Sequence, residues 1–216
     1  MNRYDAVIFD LDGTLLDTLE DLKNAINHAL EGEGFARRTL DEVRRFVGCG
    51  ALELCRRATP AGTSDEQIRA VLAGFHAYYS QHSNDCTAPY PGIMKLLKDL
   101  QEAGVKVAVG SNKPDPQVRS LCRDYFGFSL AAGDREGVRR KPAPDAVWAV
   151  METLDVREDR TLYVGDSDVD VQTAFNAHVD CAAVLWGFRS REELAQAGAR
   201  TFASTADELL SLIVNA

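Results

Sequence analysis

Two carboxylates close to the N-terminus stand where charge is costly. The segment "VIFDLDGTLLDT" at 7–18 places Asp10 and Asp12 directly after three apolar residues that predict the end of a buried strand. Buried carboxylates are tolerated only where a cation or a bound partner offsets their charge. Side chains two residues apart on an extended strand point to the same side. The pair therefore predicts a catalytic or metal-binding site, against the alternative of a simple turn.

Later apolar runs also end in polar residues. "GSNK" at 110–113 follows "VKVAV", "GDSDVD" at 165–170 follows "RTLYV", and Lys141 lies between them in "RRKPAPD". In an open parallel sheet the carboxyl ends of the strands face one crevice, which is the usual place for a ligand. We therefore expect these polar residues to converge on Asp10 and Asp12 although they lie far away in the chain.

The residue types in this crevice favour phosphate chemistry with a divalent cation. Several aspartates raise one another's pKa unless positive charge lies among them. Mg²⁺ binds carboxylate oxygens together with phosphate and water, and Ser111, Asn112 and Lys141 add the donors and positive charge that a phosphoryl group needs. An aspartate can attack phosphorus, and a neighbouring carboxyl can act as general acid and then as base. The chain has no Walker motif, which excludes a nucleoside triphosphate site of that type.

Alternating strand and helix patterns predict an α/β fold with a doubly wound parallel sheet. Runs rich in Val and Ile predict strands at 4–10, 105–111, 160–166 and 181–187, with weaker strands at 128–133 and 200–204. Helical patterns separate them at 92–104, 115–127, 144–156 and 169–179. A last helix follows Ser204, which is expected to form a capping box with Asp207.

One region breaks the alternation. Between residues 18 and 84 every pattern is helical, which predicts a small all-helical domain inserted after the first strand. The α/β core would then comprise residues 1–17 and 85–216. The segments around Asp17 and around 88–90 are the expected hinges.

Composition narrows the class of protein. With 24 Lys and Arg against 33 Asp and Glu the net charge is -9, and no basic run predicts a nucleic-acid partner. No apolar stretch approaches the length of a bilayer span, and no secretory leader is recognisable, so we expect no membrane partner and a cytoplasmic location. The five cysteines are scattered, which disfavours a disulfide framework and a zinc site. A monomer or a homodimer is expected.

The four motifs together resemble those of the haloacid dehalogenase superfamily of phosphohydrolases. They are DxDGT at 10–14, the strand-terminal Ser111, Lys141 in a "KPxPD" context, and GDSxxD at 165–170. The resemblance covers essentially the whole chain, and the helical insert is similar in position to the cap of that superfamily. It implies a Rossmann-like core with an inserted cap.

The resemblance also implies roles for the motif residues. Asp10 would be the nucleophile that forms an aspartyl-phosphate, and Asp12 would be the general acid and then the base that activates water. Mg²⁺ would be held by Asp10, the backbone carbonyl of Asp12 and Asp166, with Asp170 as a supporting carboxylate. The groups expected to hold the phosphoryl oxygens are Ser111, Asn112 and Lys141.

The insert would decide the substrate. "RRFVGCGALEL" at 44–54 resembles the substrate loop of phosphoglycolate phosphatases, which carry a "VGxGxxxL" pattern. This likeness favours 2-phosphoglycolate or a similar small phosphorylated acid. The groups expected to contact its carboxylate are Arg45, Gly48 and Gly50.

Other functions on the same fold stay open. A phosphosugar mutase of the β-phosphoglucomutase type would share every core residue, and a pyrophosphatase is a further alternative. A haloacid dehalogenase does not need an acid at the second position, so Asp12 disfavours it. A non-catalytic binding protein is disfavoured because the motif residues are all intact, namely Asp10, Asp12, Lys141 and Asp166.

The helix after the last motif raises two structural expectations. Asp168 is expected to be its N-cap rather than a metal ligand. At its C-terminal end His178 stands where relatives of the resembling family usually have glycine. Glycine allows a helix to end in the left-handed conformation, so we expect a strained or altered helix end at His178.

Overall fold

The computed structural model describes residues 2–127 and 130–214 and divides the chain into two compact units. The core unit comprises Met1–Leu16 and Pro89–Ala216, and the helical unit comprises Asp17–Ala88. The insert predicted at 18–84 lies inside the helical unit. Two short strands, β2 (Leu16–Asp17) and β3 (Ala88–Pro89), contain the points where the chain passes from one unit to the other.

A six-stranded parallel sheet forms the centre of the core unit, which confirms the predicted fold class. Its strands are β1 (Ala6–Phe9), β4 (Lys106–Pro114), β5 (Ala131–Asp134), β6 (Thr161–Gly165), β7 (Asp180–Val184) and β8 (Thr201–Ala203). Their order in the sheet is β5-β4-β1-β6-β7-β8, and the pairs are parallel. The strand predicted at 128–133 falls partly outside the described residues, and β5 covers its second half. The strand predicted at 181–187 ends earlier, at Val184.

β1 lies inside the sheet, where it pairs with β4 on one side and with β6 on the other. All four of its residues are fully buried. Side chains alternate across the sheet, so that Val7 and Phe9 enter one apolar cluster and Ile8 enters the cluster on the opposite face. A strand covered on both faces is apolar throughout, as its sequence is.

Helices cover both faces of this sheet. The described helices of the core unit are α5 (Ile93–Glu102), α6 (Asp115–Phe126), α7 (Asp145–Leu154), α8 (Asp168–Ala177), α9 (Arg191–Gln196) and α10 (Ala206–Val214), with a 3₁₀ turn at Glu158–Arg160. Buried residues of α5, α6 and α10 join the cluster that contains Phe9, and those of α7 and α8 join the cluster that contains Ile8. This two-sided packing positions the strand ends described below.

The helical unit contains α1 (Leu19–Gly32), α2 (Leu40–Phe46), α3 (Ala51–Ala58) and α4 (Asp65–His82). Capping boxes begin α2, through Thr39, and α4, through Ser64. The buried carboxylate of Asp21 on α1 accepts hydrogen bonds from the backbone N–H groups of Cys86 and Thr87, which joins the two ends of the unit. None of the helices in the described part of the chain combines the length and apolar character that a bilayer crossing requires.

The capping box predicted for Ser204 and Asp207 was wrong by one residue. The Thr205 hydroxyl accepts from the Glu208 N–H at 3.1 Å, and the Glu208 carboxylate accepts from the Ser204 N–H at 2.7 Å. Both arrangements offer a hydroxyl three residues before an acid, and the glutamate side chain is long enough to reach back past the first turn. α10 therefore begins at Ala206.

Candidate active site

Three neighbouring strands bring the polar motifs together. β4, β1 and β6 are adjacent in the sheet. Ser111 lies near the carboxyl end of β4, and β1 and β6 lead directly into Asp10 and Asp166. The Asp10 N–H donates to the carbonyl of Val164 on β6 at 2.8 Å, so the chain is still held to the sheet where the first carboxylate appears. The expected convergence at the carboxyl ends of the strands is what the structure shows for these three residues.

A cluster of buried carboxylates fits a hard divalent cation. Asp10, Asp166 and Asp170 each offer one carboxylate oxygen, and these oxygens all lie within 4.8 Å of one another. The three side chains are buried, and the group contains neither histidine nor cysteine. An all-oxygen donor set suits Mg²⁺ better than it suits zinc. The residues present therefore fit the ion that the sequence predicts.

Asp166 is fixed by neighbours on two loops. Its Oδ1 accepts from the Thr14 hydroxyl at 2.9 Å, and its Oδ2 accepts from the Phe188 N–H at 2.8 Å. Glycines allow this close approach: a Cβ on Gly13 would lie 2.4 Å from Oδ2 of Asp166, and one on Gly187 would lie 2.3 Å from its Cβ. Gly13 also has φ +84°, which favours glycine.

Lys141 lies between two of the carboxylates. Its Nζ is 2.9 Å from Oδ1 of Asp10 and 2.7 Å from Oδ1 of Asp170, and the Tyr163 hydroxyl lies 3.1 Å away. Burial acts against the charged ammonium, but the carboxylates of Asp10 and Asp170 outweigh it and raise the pKa of Lys141 well above its usual value. Lys141 is therefore a permanent cation at the centre of the site.

Burial also raises the pKa of two carboxyl groups in the site. It raises the pKa of Asp10 to about 7, although the Lys141 ammonium acts to lower it. Burial, together with the charges of Asp170 and Asp10, raises the pKa of Asp166 well above the usual range. Both groups are thus unfavourable as anions in the absence of further positive charge, which is the condition that a bound cation would relieve.

Asp170 has both carboxylate oxygens bound by protein donors. Oδ1 binds Lys141, and Oδ2 accepts from the N–H of Ser167 at 3.0 Å and from its hydroxyl at 2.6 Å. Ser167 is the N-cap of α8, in a capping box with Asp170, so the prediction that Asp168 is the N-cap was wrong. The hydroxyl of Ser167 accepts from the N–H of Asp170, and the buried carboxylate of Asp170 accepts from the N–H of Ser167. Asp168 is instead the first helical residue, 3.6 Å from Arg189.

Two residues beside Ser111 make contacts that sequence reasoning missed. The Asn112 amide accepts from the backbone N–H of Lys141 at 2.9 Å and donates to its carbonyl at 3.1 Å. The ammonium of Lys113 lies 2.7 Å from Oδ1 of Asp12. Asn112 thus holds the backbone of Lys141, and its predicted contact with the phosphoryl group stays a prediction. The only signal for Lys113 was a cation placed directly after a predicted strand end.

His178 ends α8 in the left-handed conformation. Its φ is +59°, and of the described residues that are not glycine, only Asp155 also has a positive φ. The predicted strain at this helix end therefore has a backbone basis.

The predicted substrate contacts lie in the helical unit. Arg45 is in the last turn of α2, and Gly48 and Gly50 belong to the turn that leads into α3. Gly48 has φ +124° and Gly50 has φ +87°, so this turn needs glycine at both places. Their contact with a substrate stays a prediction.

Comparison with known proteins identifies the family. Residues 7–184 match the model of the haloacid dehalogenase-like hydrolases, so the chain belongs to this family, as its four motifs indicated.

Two curated relatives are each 37% identical to this chain and are named phosphoglycolate phosphatase. The one from Rhodospirillum rubrum aligns over 94% of this chain and 90% of its own length. The one from Pseudomonas savastanoi pv. phaseolicola aligns over 88% and 72% respectively. A crystal structure of a protein from Lactobacillus delbrueckii subsp. bulgaricus is similar over 99% of this chain and 100% of that one, with a TM-score of 0.94 and 36% identity.

Proposed function

We propose that this protein is a Mg²⁺-dependent phosphatase that hydrolyses a small phosphate monoester through an aspartyl-phosphate on Asp10. The observation that carries the proposal is Lys141, which bridges Asp10 and Asp170 inside a buried cluster of oxygen ligands. The hydrolase family and the names of the curated relatives support the same class of reaction.

The charge of the site supports a divalent cation. Four carboxylates and two ammonium groups lie here, from Asp10, Asp12, Asp166, Asp170, Lys113 and Lys141. The carboxyl groups outnumber the ammonium groups, and carboxylate oxygens are ligands that Mg²⁺ prefers. Asp10, Asp166 and the backbone carbonyl of Asp12 would hold the ion, with Asp170 in support. When bound, the ion supplies a Lewis acid for the phosphoryl oxygens.

The first step transfers the phosphoryl group to Asp10. A carboxylate oxygen of Asp10 forms a bond to phosphorus while the bond from phosphorus to the ester oxygen breaks, and the leaving oxygen takes a proton from the Asp12 carboxyl. Lys141 and Ser111 would hold the transferred oxygens and offset their charge. Catalysis of this transfer rests mainly on positioning and charge stabilisation, which buried and fixed groups provide.

The second step restores the enzyme. The Asp12 carboxylate takes a proton from water while the water oxygen forms a bond to phosphorus and the bond between Asp10 and phosphorus breaks. Inorganic phosphate leaves, and Asp10 is again a carboxylate. Asp12 is again a carboxyl group, ready for the next ester.

The proposed substrate is 2-phosphoglycolate or a similar small phosphorylated acid. The names of the curated relatives and the likeness of the loop at 44–54 support this choice. The predicted anion contacts of Arg45, Gly48 and Gly50 are part of the same proposal. A cytoplasmic location and a monomeric or homodimeric state also remain predictions.

Phosphate release from a panel of small phosphate esters tests this function. We expect release by the wild type with Mg²⁺, loss of release with a chelator, and a preference for 2-phosphoglycolate. Asp10→Asn should lower kcat by about 10³-fold or more, because it removes the nucleophile. The matched control is Asp124→Asn, which changes an exposed carboxylate on α6 and should leave the rate unchanged.

The other outcomes separate the alternatives. Equal, weak rates across the panel would keep the phosphatase and exclude 2-phosphoglycolate as its preferred substrate. No release by a folded, metal-bound wild type would contradict the phosphatase. A phosphosugar mutase or a non-catalytic binding protein would then be favoured.

A further inference from the structure

Lys113 pairs with Asp12 as Lys141 pairs with Asp10. The Nζ of Lys113 lies 2.7 Å from Oδ1 of Asp12, and the side chain of Lys113 is only 3% exposed. The Nζ of Lys141 lies 2.9 Å from Oδ1 of Asp10. Each of the two carboxylates that the proposed reaction uses therefore has a lysine beside it.

The backbone that carries Lys113 is fixed at the end of β4. Its N–H donates to the Ser111 hydroxyl at 3.3 Å, and the register between β4 and β5 shifts between Gly110 and Pro114. β5 approaches so closely that a Cβ on Gly133 would lie 2.6 Å from the carbonyl oxygen of Lys113. Lys113 is therefore held from the backbone side by its neighbouring strand.

The pair differs from an ordinary surface ion pair. Exposed pairs are screened by water and contribute little. Here the side chain of Lys113 is buried and that of Asp12 is 14% exposed, so water screens their attraction much less. Burying an ammonium is costly unless an acceptor compensates it, and Oδ1 of Asp12 is an acceptor both in the carboxylate and in the protonated carboxyl group.

We propose that Lys113 is a positioning residue for the proton transfers of Asp12. By binding Oδ1 of Asp12, it fixes the rotation of the carboxyl group, and the proton exchange with the leaving oxygen and with water falls to Oδ2. This inference rests on the proposed phosphatase function, because only that reaction gives Asp12 these two proton transfers.

The chemistry of the leaving group makes the role measurable. In the first step Oδ2 of Asp12 gives its proton to the ester oxygen as the phosphorus–oxygen bond breaks. An alkyl ester such as 2-phosphoglycolate needs this proton, whereas p-nitrophenolate leaves readily as an anion. The second step, in which Asp12 takes a proton from water, is the same for both substrates.

Kinetics of Lys113→Met with both esters test the proposal. With 2-phosphoglycolate we expect kcat to fall about 100-fold while KM stays within about twofold. With p-nitrophenyl phosphate, the first turnover should stay within about threefold of wild type and be followed by slow turnover, which gives a burst of p-nitrophenolate. Lys113→Arg should recover part of the rate. The matched control is Lys98→Met, which removes an exposed lysine and should change nothing.

A double-mutant cycle connects the effect to Asp12. In an Asp12→Asn background, Lys113→Met should cause little further loss, because the proton transfers that it positions are already gone. Losses that multiply would overturn the proposal. So would a raised KM with unchanged kcat, since Lys113 would then contact the substrate, or an equally slow first turnover with both esters.

Two controls distinguish a loss of positioning from a failure to fold and from an absence of phosphatase activity. If Lys113→Met does not fold, Lys113→Arg takes its place, and a loss that is equal in the first turnover of both esters again overturns the proposal. A wild type inactive on both esters contradicts the proposed function and this inference together. An active wild type with equal losses contradicts the inference alone.

Discussion

At the scale of single residues, Lys141 provides positive charge that stabilises the buried carboxylates of the site. Its ammonium is shared by the buried carboxylates of Asp10 and Asp170. Lys141→Met leaves both acids without this cation, so we expect the metal-free protein to lose about 3–5 kcal/mol of unfolding free energy. Urea unfolding measures the loss, with Lys98→Met as the exposed control. A loss below about 1 kcal/mol would contradict the pairing, since that is the range of surface ion pairs.

Residue types and spacing predicted which polar side chains converge at the strand ends, but not which atoms meet. Asp10 and Asp166 were predicted because charged groups at the ends of buried strands are costly unless they bind one another or a ligand. Lys141 was predicted from its "KPxPD" context. Asn112 was expected at the phosphoryl group, yet its amide binds the backbone of Lys141. Lys113 was missed because a lysine after a strand is usually solvated, and only the structure shows it beside Asp12.

At the scale of elements, the loop after β7 supports the metal site. Gly187 lies against Asp166, and the next N–H, from Phe188, binds its carboxylate. Gly187→Ala would push Asp166 away, so we expect Mg²⁺ affinity to fall about 10–100-fold, as for other supports of metal ligands. Calorimetric titration of Mg²⁺ measures this. Gly32→Ala is the control, since a Cβ there meets nothing within 4 Å.

Tryptophan fluorescence gives a second measurement of metal binding at this loop. The Trp186 indole donates to the carbonyl of Thr14 at 3.0 Å, and the Thr14 hydroxyl donates to Asp166. Tryptophan emission should therefore change as Mg²⁺ is added to the wild type, and the change should need a higher concentration in Gly187→Ala. An unchanged Mg²⁺ affinity in this variant would show that the loop is not a support of the site.

A substitution at the end of α8 is expected to stabilise the protein. His178 is exposed and has φ +59°, where glycine has no steric cost. His178→Gly should raise the unfolding free energy by about 1 kcal/mol, because it relieves the strain of a left-handed side chain. His178→Ala keeps a Cβ and should show no gain. Thermal or urea unfolding of both variants measures the difference, and equal stabilities would contradict the strain.

Element types were predictable from periodicity, whereas their ends were not. The N-caps of α8 and α10 lie at Ser167 and Thr205 rather than at Asp168 and Ser204, because neighbouring residues offer equivalent oxygens. β7 ends at Val184 although the apolar run continues to Trp186, whose indole binds the carbonyl of Thr14 instead. Such choices depend on partners that lie far away in the chain.

At the scale of the whole molecule, the metal-free protein should lose stability as pH rises. Burial raises the pKa of Asp10 from 3.8 to about 7 and raises that of Asp166 well above its usual value. The folded state therefore binds these protons more tightly than the unfolded state. The contribution of Asp10 to stability is complete below pH 3.8 and is lost as pH rises through about 7.

Melting curves between about pH 4 and pH 8 measure this loss, and Asp10→Asn isolates it because the amide does not titrate. We expect a flatter pH dependence in the variant. Mg²⁺ should stabilise the wild type most at the upper end of the range, since the ion takes the place of the protons. Parallel curves for the two proteins would contradict the assignment of the effect to Asp10.

The alternation of strands and helices was enough to predict the doubly wound sheet, because each parallel pair needs a crossover. The run of helical patterns was enough to predict an insert, and the structure gives a helical unit at Asp17–Ala88. Which small molecule the enzyme selects was not predictable in the same way. In the proposed reaction the core motifs act on the phosphoryl group, which all candidate substrates share.

Trapping the intermediate tests most directly whether the phosphoryl group passes to Asp10. Asp12→Asn with Mg²⁺ and p-nitrophenyl phosphate should form the aspartyl-phosphate and hydrolyse it slowly. Acid quenching and reduction with borohydride convert an aspartyl-phosphate into homoserine, which peptide mass spectrometry locates in the chain. We expect homoserine at position 10, and only when the substrate is present. Homoserine at another aspartate, or none despite a burst of p-nitrophenolate, would contradict the transfer to Asp10.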